Sequence, residues 1–510
     1  MLFRCGVGAF DVRFDNKSLN HNSMSNNILS LQPALVWKHF YAITQIPHPS
    51  GHEEQIRQYV LDFAKKNNVE CQEDATGNVV LRKPATPGME NRKGLVMQAH
   101  LDMVPQANSD KKFDFTKDPL QPYIDGEWLT ADGTTLGADN GIGMAAMLSV
   151  MESNDLIHGP IEALFTMTEE TGMVGAFGLD PELVKGDVLL NLDSEDEGEL
   201  YVGCAGGLDA NISMNYSMED VNAGYKAYEI NVKGLKGGHS GMEIILQRGN
   251  SNKILVRFLK LAAKRYALRL VSIDGGGLRN AIPREAKAVV LVPAVHTAEF
   301  ETAIKECEVV YKNEIEAVDP DLSLTATSLN EVPSQAMDAD SQRKLINMVY
   351  GCPNGVIRMS DSMKGLVETS SNLARVLTEN GKITITCLMR SSVDSAKEDL
   401  ADAMSCVFEL AGADIKLEGG YSGWKPNMAS PILKSMQETY KELYEKTPEI
   451  KAIHAGLECG IIGGKYPNLD MISFGPTIRF PHSPDEKVQI ASVEKFWNFL
   501  VATLKNAPLK

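Results

Sequence analysis

The chain of 510 residues has no apolar stretch of membrane-spanning length, no cluster of Lys and Arg, and no Cys-x-x-Cys pair. The first absence excludes a membrane-spanning helix. The second excludes the basic field that nucleic acid or an anionic membrane would need. Fifty Lys and Arg stand against 67 Asp and Glu, for a net charge of −17. The third argues against a thiolate metal site. The eight cysteines, Cys5, Cys71, Cys204, Cys307, Cys352, Cys387, Cys406 and Cys459, are scattered and read as reduced thiols of a cytoplasmic compartment. Cys204 and Cys459 read as small apolar packing residues. The opening residues also read as a poor signal peptide. Residues 1–23 are polar, carry Arg4 in their only apolar stretch and lack a small-residue cleavage pattern. They read as a disordered extension or an upstream start, with Met24-Ser25-Asn26 as a more usual opening.

What is present is a set of apolar runs that end in metal-binding residue types. The runs 94–100, 161–170, 188–193 and 471–482, with the turn Gly137-Ala138-Asp139-Asn140-Gly141, present His100, Asp102, Asp139, Glu169, Glu170, Asp193 and His482. In open α/β sheets, ligands bind beyond the carboxyl ends of the strands. Five carboxylates aimed at one crevice repel one another unless a cation neutralises them. The pattern therefore predicts a metal site with more than one ion.

Each piece is weak alone. His100-Leu101-Asp102 can be a surface loop, or a histidine ligand whose ring a carboxylate holds. Asp139 can cap the helix expected over 142–151, and a carboxylate with both oxygens engaged can also bridge two ions. Glu169-Glu170 is the most telling pair. One can bind a cation while its neighbour acts as general base for a metal-held water. Asp193 ends a further buried-type strand, whereas Glu195, Asp196, Glu197 and Glu199 read as a solvated face. Pro481-His482-Ser483-Pro484 suits a rigid ligand loop, because each proline restricts the residue before it.

A chain this long exceeds one ordinary core. Strands over 78–82, 94–98, 161–167 and 188–192 alternate with helices over 55–66 and 142–151, which predicts a mostly parallel sheet flanked by helices. After about Gly207, two successive β-α-β-β-α-β-like units are expected. The reading is an α/β catalytic domain in two parts, 24–207 and 420–510. An inserted α+β lid of two ferredoxin-like halves spans 208–419.

Taken in order, the segments resemble the co-catalytic dinuclear metallopeptidase family of carboxypeptidase G-type enzymes, carnosinases and bacterial dipeptidases. The resemblance covers nearly all of 30–510. It is closest to the aminoacyl-histidine dipeptidase branch, through 98–105, Thr135-Leu136-Gly137-Ala138-Asp139-Asn140-Gly141 and His454-Ala455-Gly456-Leu457-Glu458-Cys459-Gly460. It implies two divalent ions, zinc by default, with manganese or cobalt acceptable. One ion would take His100, Asp139 and Asp193; the other Asp139, Glu170 and His482. Glu169 matches the general base and Asp102 the residue that orients His100. In the lid, His239 matches a histidine that polarises the scissile carbonyl. Asn280 lies in a substrate-contacting loop, and Arg390 matches the arginine that holds the substrate's carboxylate. Glu458 is placed with the substrate-binding residues. The expected activity is hydrolysis of short peptides, Xaa-His dipeptides among them. An N-acyl-amino-acid deacylase or tripeptidase of the same fold is the alternative. A non-catalytic peptide-binding protein is disfavoured by the intact set, and a structural zinc protein by the lack of a Cys-rich shell. Partners reduce to a small peptide substrate. A homodimer, and with it a partner's use of His239, stays open.

Overall fold

The computed structural model describes residues 27–510, so the expected extension over 1–23 lies outside the described residues. An eight-stranded sheet has the order Glu70–Glu73, Val79–Lys83, Ile161–Thr166, Leu95–His100, Val188–Asn191, Asp470–Ser473, Glu199–Cys204, Glu449–Ile453. The four strands from Ile161–Thr166 to Asp470–Ser473 run parallel, with their carboxyl ends along one edge. Val79–Lys83 pairs antiparallel at one flank, so the sheet is mixed around a parallel centre.

Both faces of this centre are covered, which is why its strands read as unbroken apolar runs. Leu95, Met97 and Ala99 join a core with Trp37, Phe40, Ile142 and Phe496. Val96, pointing the other way, joins Ala176, Ile461 and Ile462. Burying each large side chain stabilises the fold by about 1.5–3 kcal/mol. The first core draws on residues 28–202 and again on 432–507, so the chain returns to finish what it began.

Glu199 does not extend a solvated face. It opens the strand Glu199–Cys204, accepts a 2.9 Å hydrogen bond from the Tyr201 hydroxyl and pairs with Lys451 at 3.3 Å.

The second sheet is antiparallel. Its order is Ser323–Ser328, Tyr225–Lys233, Ala286–Pro293, Arg269–Gly276, Val367–Glu379, Lys382–Ser391, Gly206–Asn215, Asp414–Tyr421. The first four strands, with helices Ser251–Tyr266 and Thr297–Ile315, form one β-α-β-β-α-β half. The last four form the other, but not in simple succession. Its opening strand is Gly206–Asn215, which precedes the first half, while its remaining elements run from Ala339–Gly351 to Asp414–Tyr421. The first half is thus nested inside the second, and the two meet where Arg269–Gly276 pairs with Val367–Glu379. The successive-repeat expectation is corrected here. Gly206-Gly207 hid the start of that strand, because glycine is poor in strands.

The chain crosses between the sheets twice, side by side. Cys204 and Trp424 exchange both backbone hydrogen bonds, at 3.0 and 2.9 Å.

Candidate metal centre

His100 ends its strand with its side chain buried. Its Nε2 lies 3.2 Å from Asp139 Oδ1 and 3.3 Å from Asp193 Oδ1. His482 Nε2 lies 3.4 Å from Asp139 Oδ2 and 3.0 Å from Glu170 Oε2. Asp139 therefore offers one oxygen to each group. Potential ligand atoms of His100, Asp139 and Asp193, and those of Asp139, Glu170 and His482, lie within 4.8 Å of one another. The same limit holds for His100, Glu169 and Glu170.

Asp102 ties these groups together. His100 Nδ1 is 3.0 Å from its carbonyl oxygen and 3.3 Å from its Oδ1. Its carboxylate also accepts from the amides of Glu169 and Glu170, at 2.8 and 3.1 Å, and from Ser50 Oγ at 2.7 Å. Burial works against its charge, but bonds from His100, Ser50 and the Glu169 amide bring its pKa down to about 2. Thr168, at φ 49°, turns the chain before the glutamate pair, and its hydroxyl donates to Glu53 at 2.7 Å.

The Asp139 side chain does not cap its helix. Ala138–Glu152 starts from Gly137 at φ 67° without a side-chain cap bond there, and Asp139 and Asn140 are not yet helical. The amides of residues 136–139 instead donate to Glu486, which is distant in sequence. Asn140 donates from Nδ2 to Asp193 Oδ1.

The electrostatics call for a cation. Burial pushes Glu169 up to about 8, with Glu458, Glu170 and Asp139 adding repulsion and His100 opposing. Burial also pushes Asp193 to about 8. Glu195, expected as solvated, is raised to about 8 by burial and by Asp139 and Asp193. Bonds to Asp139 and Glu170 raise His482 to about 11. Glu170 Oε1 is buried without a hydrogen-bond partner. Two imidazoles, several carboxylates and an orphaned buried oxygen are the donor set of hard-to-borderline divalent ions, so the residues fit such a group.

The remaining expected residues fall into two places. Glu458, at the start of helix Glu458–Lys465, is buried against the strands Leu95–His100 and Ile161–Thr166. Its Oε2 accepts from Gln98 Nε2 at 2.6 Å and Thr166 Oγ1 at 2.9 Å, while Oε1 has no partner. His239, Asn280 and Arg390 belong to the second sheet's side. His239 pairs with Ala281, next to Asn280, and the Ser240 amide donates to the Asn280 carbonyl at 2.8 Å. The Asn280 side chain is exposed. His239 Nδ1 accepts from the amides of Gly241 and Met242 at 3.2 and 3.1 Å. Burial, then Arg390, lowers its pKa, with Glu243 opposing. A neutral ring accepting at Nδ1 carries its proton on Nε2. Arg390 is buried; its Nη1 donates to the Tyr421 hydroxyl at 3.4 Å and its Nε is unpartnered.

Contacts link this group to the first sheet. The Tyr421 ring lies 6.4 Å from that of Phe177, in the helix after the glutamate pair. His454 Nε2 shares a 2.7 Å hydrogen bond with Ser370 Oγ, and a Cβ on Gly241 would sit 2.3 Å from the His454 carbonyl oxygen. Sequence reasoning gave no role to Ser50, Glu53, His454 or Glu486. A Glu four residues after a candidate ligand histidine is a usable signal only with knowledge of the distant turn it binds.

A mixed sheet with carboxylate and histidine donors gathered beyond its parallel strands is the arrangement of a metal-dependent hydrolase. The chain belongs to the Peptidase family M20/M25/M40, which it matches over residues 96–506. It is 48% identical over 485 residues to the cytosol non-specific dipeptidase of Escherichia coli (strain K12), covering 95% of this chain and 100% of that protein. The crystal structure of aminoacylhistidine dipeptidase from Vibrio alginolyticus superposes with a TM-score of 0.92 at 49% identity, over 95% of this chain and 98% of that one. Aminopeptidase PepT from Bacillus cereus ATCC 10987 shares the fold at a TM-score of 0.59 and 17% identity, over 94% and 99% of the two chains.

Proposed function

We propose that the chain is a cytoplasmic, metal-dependent dipeptidase that hydrolyses the amide bond of Xaa-His and related dipeptides. The observation that carries the reading is the pair of ligand groups sharing Asp139, with Glu169 beside them. His100, Asp139 and Asp193 would hold one divalent ion, and Asp139, Glu170 and His482 a second. Zinc is the first choice, with manganese or cobalt as substitutes. When bound, such ions polarise the peptide carbonyl and acidify the attacking water.

The protein's own groups do the rest. Glu169, unlike Glu170, faces no histidine ion pair and is free to take a proton from the attacking water. It then delivers that proton to the leaving amine. Asp102 fixes the His100 ring. His239 donates its Nε2 proton to the carbonyl oxygen as negative charge develops there. Arg390, with an unpaired Nε, holds the substrate's terminal carboxylate, beside the Asn280 loop. Glu458 contributes its unpaired oxygen on the substrate-facing side. Residues 208–419 act as a lid over a catalytic domain formed by 24–207 and 420–510.

The test is a chelated enzyme assayed with Zn2+, Mn2+ or Co2+ added back, on Xaa-His, Xaa-Xaa, a tripeptide and an N-acetylated amino acid. Turnover of dipeptides with a free amino terminus is expected to dominate. Preference for the acetylated substrate or the tripeptide would shift the reading to a deacylase or tripeptidase.

A further inference from the structure

Four consecutive backbone amides converge on one buried carboxylate. Glu486 Oε2 accepts from Leu136 at 2.7 Å and Gly137 at 3.0 Å, and Oε1 from Ala138 at 2.8 Å and Asp139 at 3.2 Å. The residue is 2% exposed. These amides belong to the turn through which the chain enters Ala138–Glu152: Leu136 and Gly137 precede the helix and Asp139 is not yet helical, so none of the four has a helical carbonyl partner. Local capping residues sit next to their helix. This one arrives from 347–350 residues away.

Its own position is fixed as well. The Glu486 amide donates to the Ser483 carbonyl at 2.9 Å, and the Glu486 carbonyl accepts from Thr130 Oγ1 at 2.8 Å. The strand that follows, Lys487–Gln489, pairs with Trp128–Ala131. Four residues upstream on the same loop is His482, which faces Asp139 Oδ2. One short loop therefore presents a ligand to one oxygen of Asp139 and grips the backbone that aims both oxygens. An apolar side chain here would leave four buried amides without an acceptor, so the carboxylate is what holds this turn together.

We propose that Glu486 is a positioning residue that clamps the Asp139 turn to the His482 loop, so that the two metal subsites form as a single unit. This rests on the reading of Asp139 and His482 as metal ligands. Without the clamp, each subsite would assemble alone, and the bridging carboxylate would wander from the position both ions need.

The test compares wild type, Glu486→Gln and Glu486→Asp as metal-free proteins titrated with Co2+. Calorimetry, the cobalt absorption spectrum and thermal unfolding before metal addition are followed. Gln keeps the size but turns a donor towards two of the amides; Asp keeps the charge but falls one methylene short. Wild type is expected to take two Co2+ in one steep phase. Glu486→Gln is expected to fold, bind the ions in separated phases, loosen the weaker by about 10–100-fold, and lose kcat with little change in KM. Glu486→Asp should fall between. Should Glu486→Gln fail to fold, Glu486→Asp carries the same readout. A folded variant of either kind with the wild-type isotherm, spectrum and kcat overturns the clamp alone. Wild type that binds no Co2+ overturns the metal reading and the clamp with it.

Discussion

Glu169 and Glu170 are neighbours in sequence with unlike surroundings. Glu170 faces the His482 imidazole at 3.0 Å, whereas Glu169 is raised by burial and by the acids around it. Their roles separate on that difference. Glu169→Gln is expected to lower kcat roughly 10²–10⁴-fold while metal content stays at the wild-type level; unchanged turnover would remove Glu169 from the mechanism. Asp139 faces both groups, so Asp139→Ala should release both ions, while Asp193→Ala or His482→Ala should weaken mainly one. Metal analysis of the purified variants decides, and equal single-ion loss in all three would rule out the bridge. Arg390 is argued from its fork. Arg390→Lys keeps the charge but loses the planar donors, at a cost of about 1.5–3 kcal/mol in transition-state binding. Amidating the dipeptide's carboxyl terminus should then hurt wild type far more than the variant. Equal sensitivity would show that Arg390 reads some other group.

Elements differ in how they hold this site. The strands Leu95–His100, Ile161–Thr166 and Val188–Asn191 were legible because both faces are buried and every position is apolar or internally bonded. The clustering of candidate ligands at their ends was legible for the same reason, since carboxylates after such runs need an explanation. Glu199–Cys204 and Gly206–Asn215 were not, because an acidic stretch and a Gly-Gly pair mask their pattern. Glu486 was hidden because its donors lie in another part of the sequence, and a turn glutamate ordinarily reads as solvated. His454 stands in a segment whose pattern assigns it no task. It joins the end of the Glu449–Ile453 strand to Ser370, on the second sheet. Burial, then the charges of Arg390 and His239, holds its pKa down to about 3, against 6.5 for an ordinary histidine. Between those values the unfolded chain binds the extra proton, so stability rises with pH. The contribution is complete above about pH 6.5 and is lost as the pH falls toward 3, by about 1.4 kcal/mol for each unit of depression. His454→Gln should flatten the dependence of the urea midpoint on pH in that window. A slope identical to wild type would place the acid sensitivity elsewhere.

At the scale of the whole molecule, the second sheet carries Arg390, the short pairing of Gly238–His239 with Ala281-Ile282 carries His239, and neither holds any of the proposed metal ligands. In the proposed mechanism, these residues would serve the reaction only with that sheet standing over the metal centre. On that proposal the pivot would be the paired crossings at Cys204 and Trp424, which are joined by an antiparallel bridge. A dipeptide-like phosphinate is expected to reduce the radius of gyration seen by small-angle scattering, and His239→Ala to cut kcat roughly 10²–10³-fold without loss of metal. An unchanged scattering profile together with a fully active His239→Ala enzyme would leave the second sheet a fixed wall. The nested order of the chain also has a bearing on how the protein is born. Asp470–Ser473 lies between Val188–Asn191 and Glu199–Cys204, so the first sheet keeps a gap at its middle until the last tenth of the chain has been made. The nested half, from Tyr225 to Ser328, has all its strands contiguous and can fold while the ribosome is still working. The half that encloses it must leave Gly206–Asn215 waiting for Asp414–Tyr421, roughly 10–40 s later at ordinary rates of synthesis. His482 comes later still. With His482 as a metal ligand, as proposed, a nascent peptidase of this design is expected to stay inert through its own translation and to gain hydrolytic competence only when its final segment is in place.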